Sequence, residues 1–188
     1  MLLGVAFLIA LLTVPLRGGH LAALGDVQLR MTWLPITAIA LQLIIIVVLP
    51  GGAATAHRTV HVCSYLLIAA FVIANRHIPY LWLIGLGGAS NFVAITTNGG
   101  VMPARAAALR AAHVTQNSGH FVNSTSIKGA HLQALGDIVA TPGWLPIRNV
   151  VSVGDVVIAL GALLAVHRIC GSRAVLLPRV RRLQRSHA

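Results

Sequence analysis

The sequence predicts an all-α membrane protein, a bundle of about five transmembrane helices with one long extracytoplasmic loop. Three observations predict it. Apolar residues make up 57% of the 188-residue chain and charged residues only 9%, against about 25% charged in an ordinary soluble domain. The apolar residues gather into five runs, Leu2–Leu16, Trp33–Leu49, Thr59–Ala74, Ile78–Thr97 and Asn149–His167. Polar sequence of any length is confined to residues 98–148 and the C-terminal tail. The same apolar excess argues against disorder over most of the chain.

Each run is justified by what hydrocarbon demands. A span needs about 20 predominantly apolar residues, and it must be helical because an unpaired backbone group in lipid costs several kcal/mol. The fourth and fifth runs meet that length and the second is adequate. The first and third are short, and either borrow flanking residues or sit in a locally thinned bilayer. No basic segment precedes the first run, so it reads as a retained helix rather than a removed signal. The domain reading is one polytopic membrane domain over residues 1–170, with the outer loop at 98–148, and a basic cytoplasmic tail over 171–188.

Charge sets the expected orientation. Fourteen Lys and Arg stand against three acids, Asp26, Asp137 and Asp155, for a formal net charge of +11. The arginines are scattered between apolar runs and concentrate only in the tail, at Arg179, Arg181, Arg182 and Arg185. That pattern argues against nucleic acid, which calls for a basic face. The positive-inside rule puts the tail in the cytoplasm and the N-terminus outside a bacterial plasma membrane. The expected partners are the lipid bilayer, anionic lipid at the basic tail, and other membrane proteins or a second copy of the chain. Trp33, Tyr80 and Trp144 lie near run starts, as interfacial anchors do.

The long loop opens on the turn signal Asn98-Gly99-Gly100. Its Ala-rich stretch from Ala104 to His113, carrying Arg105 and Arg110, has good helix propensity and is able to lie in the lipid interface, with a weak grip because its apolar residues are mostly Ala. Thr115 to Ser126 reads as irregular. A repeat also runs through the chain. His20-Leu-Ala-Ala-Leu-Gly-Asp26 returns as His131-Leu-Gln-Ala-Leu-Gly-Asp137, and Trp33-Leu-Pro-Ile36 returns in register as Trp144-Leu-Pro-Ile147. Its physical content is a lead-in to a helix, with Trp at the boundary and Pro in the first turn. Two readings stay open, inverted topology as in transporters or two similar lead-in segments.

Polar residues inside the apolar runs are the candidate functional groups. They are Gln42, His61, Asn91 and Asp155, all expected at similar depth in the outer half of the bilayer and able to share one pocket. Asp155 leads, with Asn91 as its expected hydrogen-bond partner. One reading makes the pair an interhelical clamp; the other gives Asp155 chemistry. Asp137 is the further carboxylate, although nothing in the sequence positions it. His113, His120 and His131 do not converge as metal ligands must, so neither metal nor cofactor is implied. Cys63 and Cys170 are expected unpaired, on opposite faces. Gly85, Gly88 and Ala89 are expected to let another helix come close.

Two resemblances attach to these residues. Asn98-Gly99-Gly100-Val-Met102-Pro103, Leu135-Gly136-Asp137 and the block from Asn149 through Ser152, Gly154 and Asp155 to Ile158 together resemble an uncharacterised integral-membrane family found mostly in actinobacteria. That resemblance implies no activity. Val153-Gly154-Asp155-Val-Val-Ile158, preceded by Gly143-Trp144-Leu-Pro146, is also similar in part to signal peptidase II, an aspartyl protease. Gly88-Ala89-Ser90-Asn91-Phe92-Val93-Ala94 corresponds to the span that carries the first catalytic Asp of that family, and Ala94 stands where the Asp should be. Two carboxylates are needed to activate water and protonate a leaving group. Three function classes follow: a non-enzymatic membrane component or accessory subunit, a small transporter with an outer polar pocket, and an Asp-dependent hydrolase.

Overall fold

The computed structural model describes residues 2–44, 54–113, 124–143 and 149–173. Among them are six α-helices: α1 (Leu2–Leu16), α2 (Trp33–Leu43), α3 (Ala54–Ala74), α4 (Leu81–Thr97), α5 (Ala106–Ala111) and α6 (Val153–Ile169). Four short strands join them: β1 (Met102–Pro103), β2 (Ser124–Thr125), β3 (Asp137–Ala140) and β4 (Val150–Ser152). The five longer helices neighbour one another in the order α2, α3, α4, α6, α1.

This corrects the transmembrane reading. Among the described residues, no helix is long and apolar enough to cross a membrane. α1 has 15 residues, α2 11, and α4 and α6 17 each. At a rise of about 1.5 Å per residue the longest of these four reaches about 26 Å, short of the roughly 30 Å hydrocarbon core. α3 has 21 residues, but its first turns carry Arg58, Thr59, His61 and Ser64. The bundle of about five transmembrane helices, the multi-pass plasma-membrane placement with N-terminus outside and C-terminus cytoplasmic, and the shared outer-half depth of the polar residues therefore fall together. The fold is also not all-α.

The runs were overcounted where apolar sequence continues through a change of backbone. The fourth run opens at Ile78, yet Tyr80 adopts a left-handed conformation (φ 62°) and α4 begins only at Leu81. The fifth run gives its first residues to β4. Val150 and Val151 are β-branched and suit a pleated strand, and Ser152 then caps α6.

Residues 98–113 and 124–143 form paired and packed structure rather than an outer loop lying on lipid. β1 pairs in parallel with β2, Met102 opposite Ser124. β3 pairs antiparallel with β4, Asp137 opposite Ser152 and Ala140 opposite Val150. α5 and its C-cap bury Ala108, Leu109 and Ala112 against Ala104, Ala140 and Val150, so its Ala-rich face packs on the β3–β4 ribbon rather than at a bilayer interface. Met102 and Leu135 pack against Ala94, Ile95 and Tyr65, which fastens this segment to α3 and α4. Of the stretch read as irregular, Thr115 to Ser126, residues 115–123 are outside the described residues and Ser124–Thr125 form β2 instead; His120, Trp144 to Ile147 of the second repeat copy, and the tail arginines beyond Arg173 are also outside the described residues.

Both copies of the repeat make a 3-10 turn, Leu21–Leu24 in the first and Gln133–Leu135 in the second. They part at the glycine. Gly25 stays helical, whereas Gly136 is extended and feeds β3. Asp26 is exposed and Asp137 is buried.

Two asparagines hold main chain in place. Asn75 is fully buried; its Nδ2 donates to the Arg30 carbonyl (2.8 Å) and its Oδ1 accepts from the Arg30 N–H (2.7 Å). Asn98, just past α4, does the same for His131, at 2.7 and 2.9 Å.

Candidate functional site

The site begins at the crossing of α4 and α6. A methyl group on Gly87 would stand 2.5 Å from the Gly154 carbonyl oxygen, and one on Gly154 would collide with Asn91 Oδ1. The two glycines thus set the close approach that lets Asn91 reach the start of α6. Of the small residues singled out in the sequence, Gly85 faces Val72 of α3, and nothing lies within 4 Å of where a Gly88 side chain would begin.

At this crossing a closed set of hydrogen bonds forms. Asn91 Nδ2 donates to Asp155 Oδ1 at 2.9 Å. The Ser152 hydroxyl donates to Asn91 Oδ1 at 2.9 Å and accepts from the Asp155 N–H at 2.9 Å. The Ser152 N–H donates to Asp155 Oδ2 at 3.2 Å. Ser152 and Asp155 therefore form a capping box at the start of α6. It satisfies orphan N–H groups and places a carboxylate where the helix dipole favours negative charge. Asn91 and Ser152 are buried and Asp155 is half-buried.

The fold also delivers Asp137 here. The β3–β4 ladder seats it opposite Ser152, and the residue is 6% exposed. Its Oδ2 accepts from the Ser124 hydroxyl at 2.5 Å, and its carbonyl accepts from the Arg105 N–H at 2.9 Å. Burial raises its carboxyl to about 6; the Ser124 hydrogen bond pulls the other way, and the charge of Asp155 adds to the rise. Tyr65 on α3 feels the same surroundings. Burial, then Asp155 and Asp137, push its phenol up to about 12.

The remaining predicted residues lie one layer away. Gln42 Nε2 donates to the Ser64 hydroxyl at 2.7 Å, and that hydroxyl donates to the His61 carbonyl at 2.7 Å. The His61 ring meets Tyr65 edge-on at 5.4 Å, and Tyr65 lies 5.9 Å from Phe92. Burial lowers the His61 pKa, so its ring is neutral near pH 7. Gln42 and His61 thus belong to an α2–α3 contact, which the rings of Tyr65 and Phe92 link to α4. Ser152, Tyr65 and Ser124 were missed in the sequence. Only Ser152 carried a signal, the Ser-x-x-Asp spacing of a cap.

Among the described residues no three His, Cys, Asp or Glu side chains converge as metal ligands. Cys63 and Cys170 are both free thiols.

No curated protein and no solved structure matches the chain. A family model does, over residues 26–167, a stretch that includes Asn91, Asp137, Ser152 and Asp155. By that match the chain belongs to the Family of unknown function (DUF5317).

Proposed function

We propose that the chain is a non-enzymatic structural component, an accessory subunit that lays its apolar helix faces against a partner protein. The observation that carries this reading is the closure of the Asn91–Ser152–Asp155 circuit. Both carboxylate oxygens, both ends of the amide and the serine hydroxyl are already partnered inside the chain. Such a set fixes two helices and presents little to a substrate. The exterior complements it: Leu8, Leu12 and Leu16 on α1, Ile36 and Ile39 on α2, and Trp82 and Leu86 on α4 are exposed. Exposed apolar helix faces of this kind are candidate interaction sites. A photo-crosslinking residue at Leu12 or Ile36, introduced in the native cell, tests the reading. A discrete protein adduct at one of these positions is expected. Crosslinking to no protein at either position overturns it.

A second reading, an aspartate-dependent hydrolase, is favoured by one observation: the ladder contact that carries Asp137 to the cap of α6. Signal peptidase II has a carboxylate at the position of Ala94, and in this reading Asp137 replaces it. Asp155 takes a proton from water, and Asp137, whose carboxyl is raised, donates one to the leaving group. Hydrolysis of a peptide and ester library that is lost in both Asp137→Asn and Asp155→Asn, with folding intact, supports it. Turnover unaffected by either substitution ends it.

A further inference from the structure

We propose that the groove between α1 and α6 binds a single-chain anionic amphiphile, a long-chain carboxylate or alkyl phosphate, with its chain between the helices and its head at Arg17, Arg168 and Arg173. The groove has a volume of about 350 Å³, within the range of roughly 300–1,000 Å³ typical of small-molecule sites. Two helical stripes wall it, Ile9 and Thr13 on α1 with Arg17 just past its end, and Leu160, Leu163, Leu164, His167 and Arg168 on α6. Spacings of three and four residues keep each stripe on one face.

The two stripes share a polarity gradient. The end at Ile9, Leu160, Leu163 and Leu164 is apolar. Midway, Thr13 Oγ1 and His167 Nε2 are hydrogen-bonded at 3.0 Å, joining the helices without a net charge. Toward the C-terminal ends of the two helices the lining residues are Arg17, Arg168 and Arg173, and Tyr80 completes the lining. The His20 N–H donates to the Cys170 carbonyl at 2.9 Å, and the Arg173 N–H to the Arg17 carbonyl at 3.1 Å. These bonds lace the helix ends together and keep the arginines in one neighbourhood. Desolvation and then Arg17 lower the His167 pKa, as an electropositive mouth would.

Charge complementarity selects the occupant. None of the three carboxylates of the chain, Asp26, Asp137 or Asp155, lines this groove. Arginine near a helix C-terminus also answers the helix dipole, but a lysine serves that purpose equally. A planar fork matched to carboxylate or phosphate is what guanidinium adds. The apolar stripe from Ile9 to Arg17 is about 12 Å long. A bare anion would leave that length unused, so the ligand carries a chain.

The test titrates the purified full chain with palmitate, hexadecyl phosphate, hexadecyltrimethylammonium, inorganic phosphate and vesicles of phosphatidylglycerol. Palmitate and hexadecyl phosphate are expected to saturate at one per chain. The cationic amphiphile should bind about tenfold or more weaker, the worth of one or two charge-assisted hydrogen bonds, and inorganic phosphate should show no saturable binding. Arg17→Gln with Arg173→Gln should weaken palmitate by a similar factor, whereas Arg110→Gln on α5 should not. Leu160→Phe, which fills the groove without touching charge, should weaken both anionic probes. Circular dichroism checks each variant, and Arg17→Lys with Arg173→Lys covers a failure of the double Gln variant to fold, with weaker palmitate binding expected. Equal affinity for cationic and anionic amphiphiles overturns the proposal. So does binding only to anionic vesicles, or an equal loss in Arg110→Gln.

Discussion

Asp137 sits directly across the β3–β4 ladder from Ser152, the residue that caps α6. A carboxylate far away in sequence is thereby built into the lead-in to the last helix, and burial lifts its carboxyl to about 6.

Stability should follow that proton. A carboxyl raised in the fold binds its proton more tightly there than in the unfolded chain, so stability falls as pH rises from about 4 to about 6. The expected loss is on the order of 1–2 kcal/mol once solvent screening is allowed for. Tyr65, Ser124 and Asp155 face the same group, and neither Tyr65 nor Ser124 titrates in this window. Urea denaturation at pH 4.5 and pH 7.5 should show the difference, and Asp137→Asn should abolish it. A variant that keeps the full pH dependence would assign the effect elsewhere.

Asp155 and Ser152 should separate by chemistry. Asp155→Asn is expected to cost less than about 1 kcal/mol, because the Asn91 amide can turn over and restore both hydrogen bonds. Asp155→Leu strands the Asn91 amide and the Ser152 N–H, and should cost about 2 kcal/mol or more. Ser152→Ala should cost about 1–2 kcal/mol through the lost cap. Thermal denaturation of the three variants checks this order.

Glycine substitutions should divide by what a methyl group would meet. Gly154→Ala drives a carbon into Asn91 and the Gly87 carbonyl, and is expected to destabilise by about 1–3 kcal/mol. Gly88→Ala meets nothing within 4 Å and should be neutral or stabilise by up to about 1 kcal/mol, the ordinary helix gain. Denaturant midpoints of the two variants provide the comparison.

How much of this was legible varies by segment. α1 coincides with the first apolar run, Leu2–Leu16; Pro15, the residue there least suited to a helix, falls in its last turn, close to where the run and the helix both stop. The fifth run misled because apolarity reports removal from water and is blind to backbone state. Val150 and Val151 look like helix continuation until the Ser-x-x-Asp cap is noticed. The same blindness turned apolar runs into spans. Asp137 was unplaceable because its position depends on a ladder to β4 and on Ser124, contacts that no local pattern encodes. The clamps made by Asn75 and Asn98 were unreadable for a related reason, since both bind backbone, and Asn98 showed only as part of a turn signal.

That last property sets which positions can drift. Asn75 and Asn98 grip peptide groups, so the clamped residues, Arg30 and His131, are chosen by their main chain alone. Any amino acid except proline supplies the required N–H and carbonyl. The two asparagines have no such latitude, because they alone offer a short planar amide with a donor and an acceptor side by side. The chain is spelled strictly at the gripping residue and loosely at the gripped one. Random mutagenesis should therefore find a narrow alphabet at 75 and 98 and a broad one at 30 and 131.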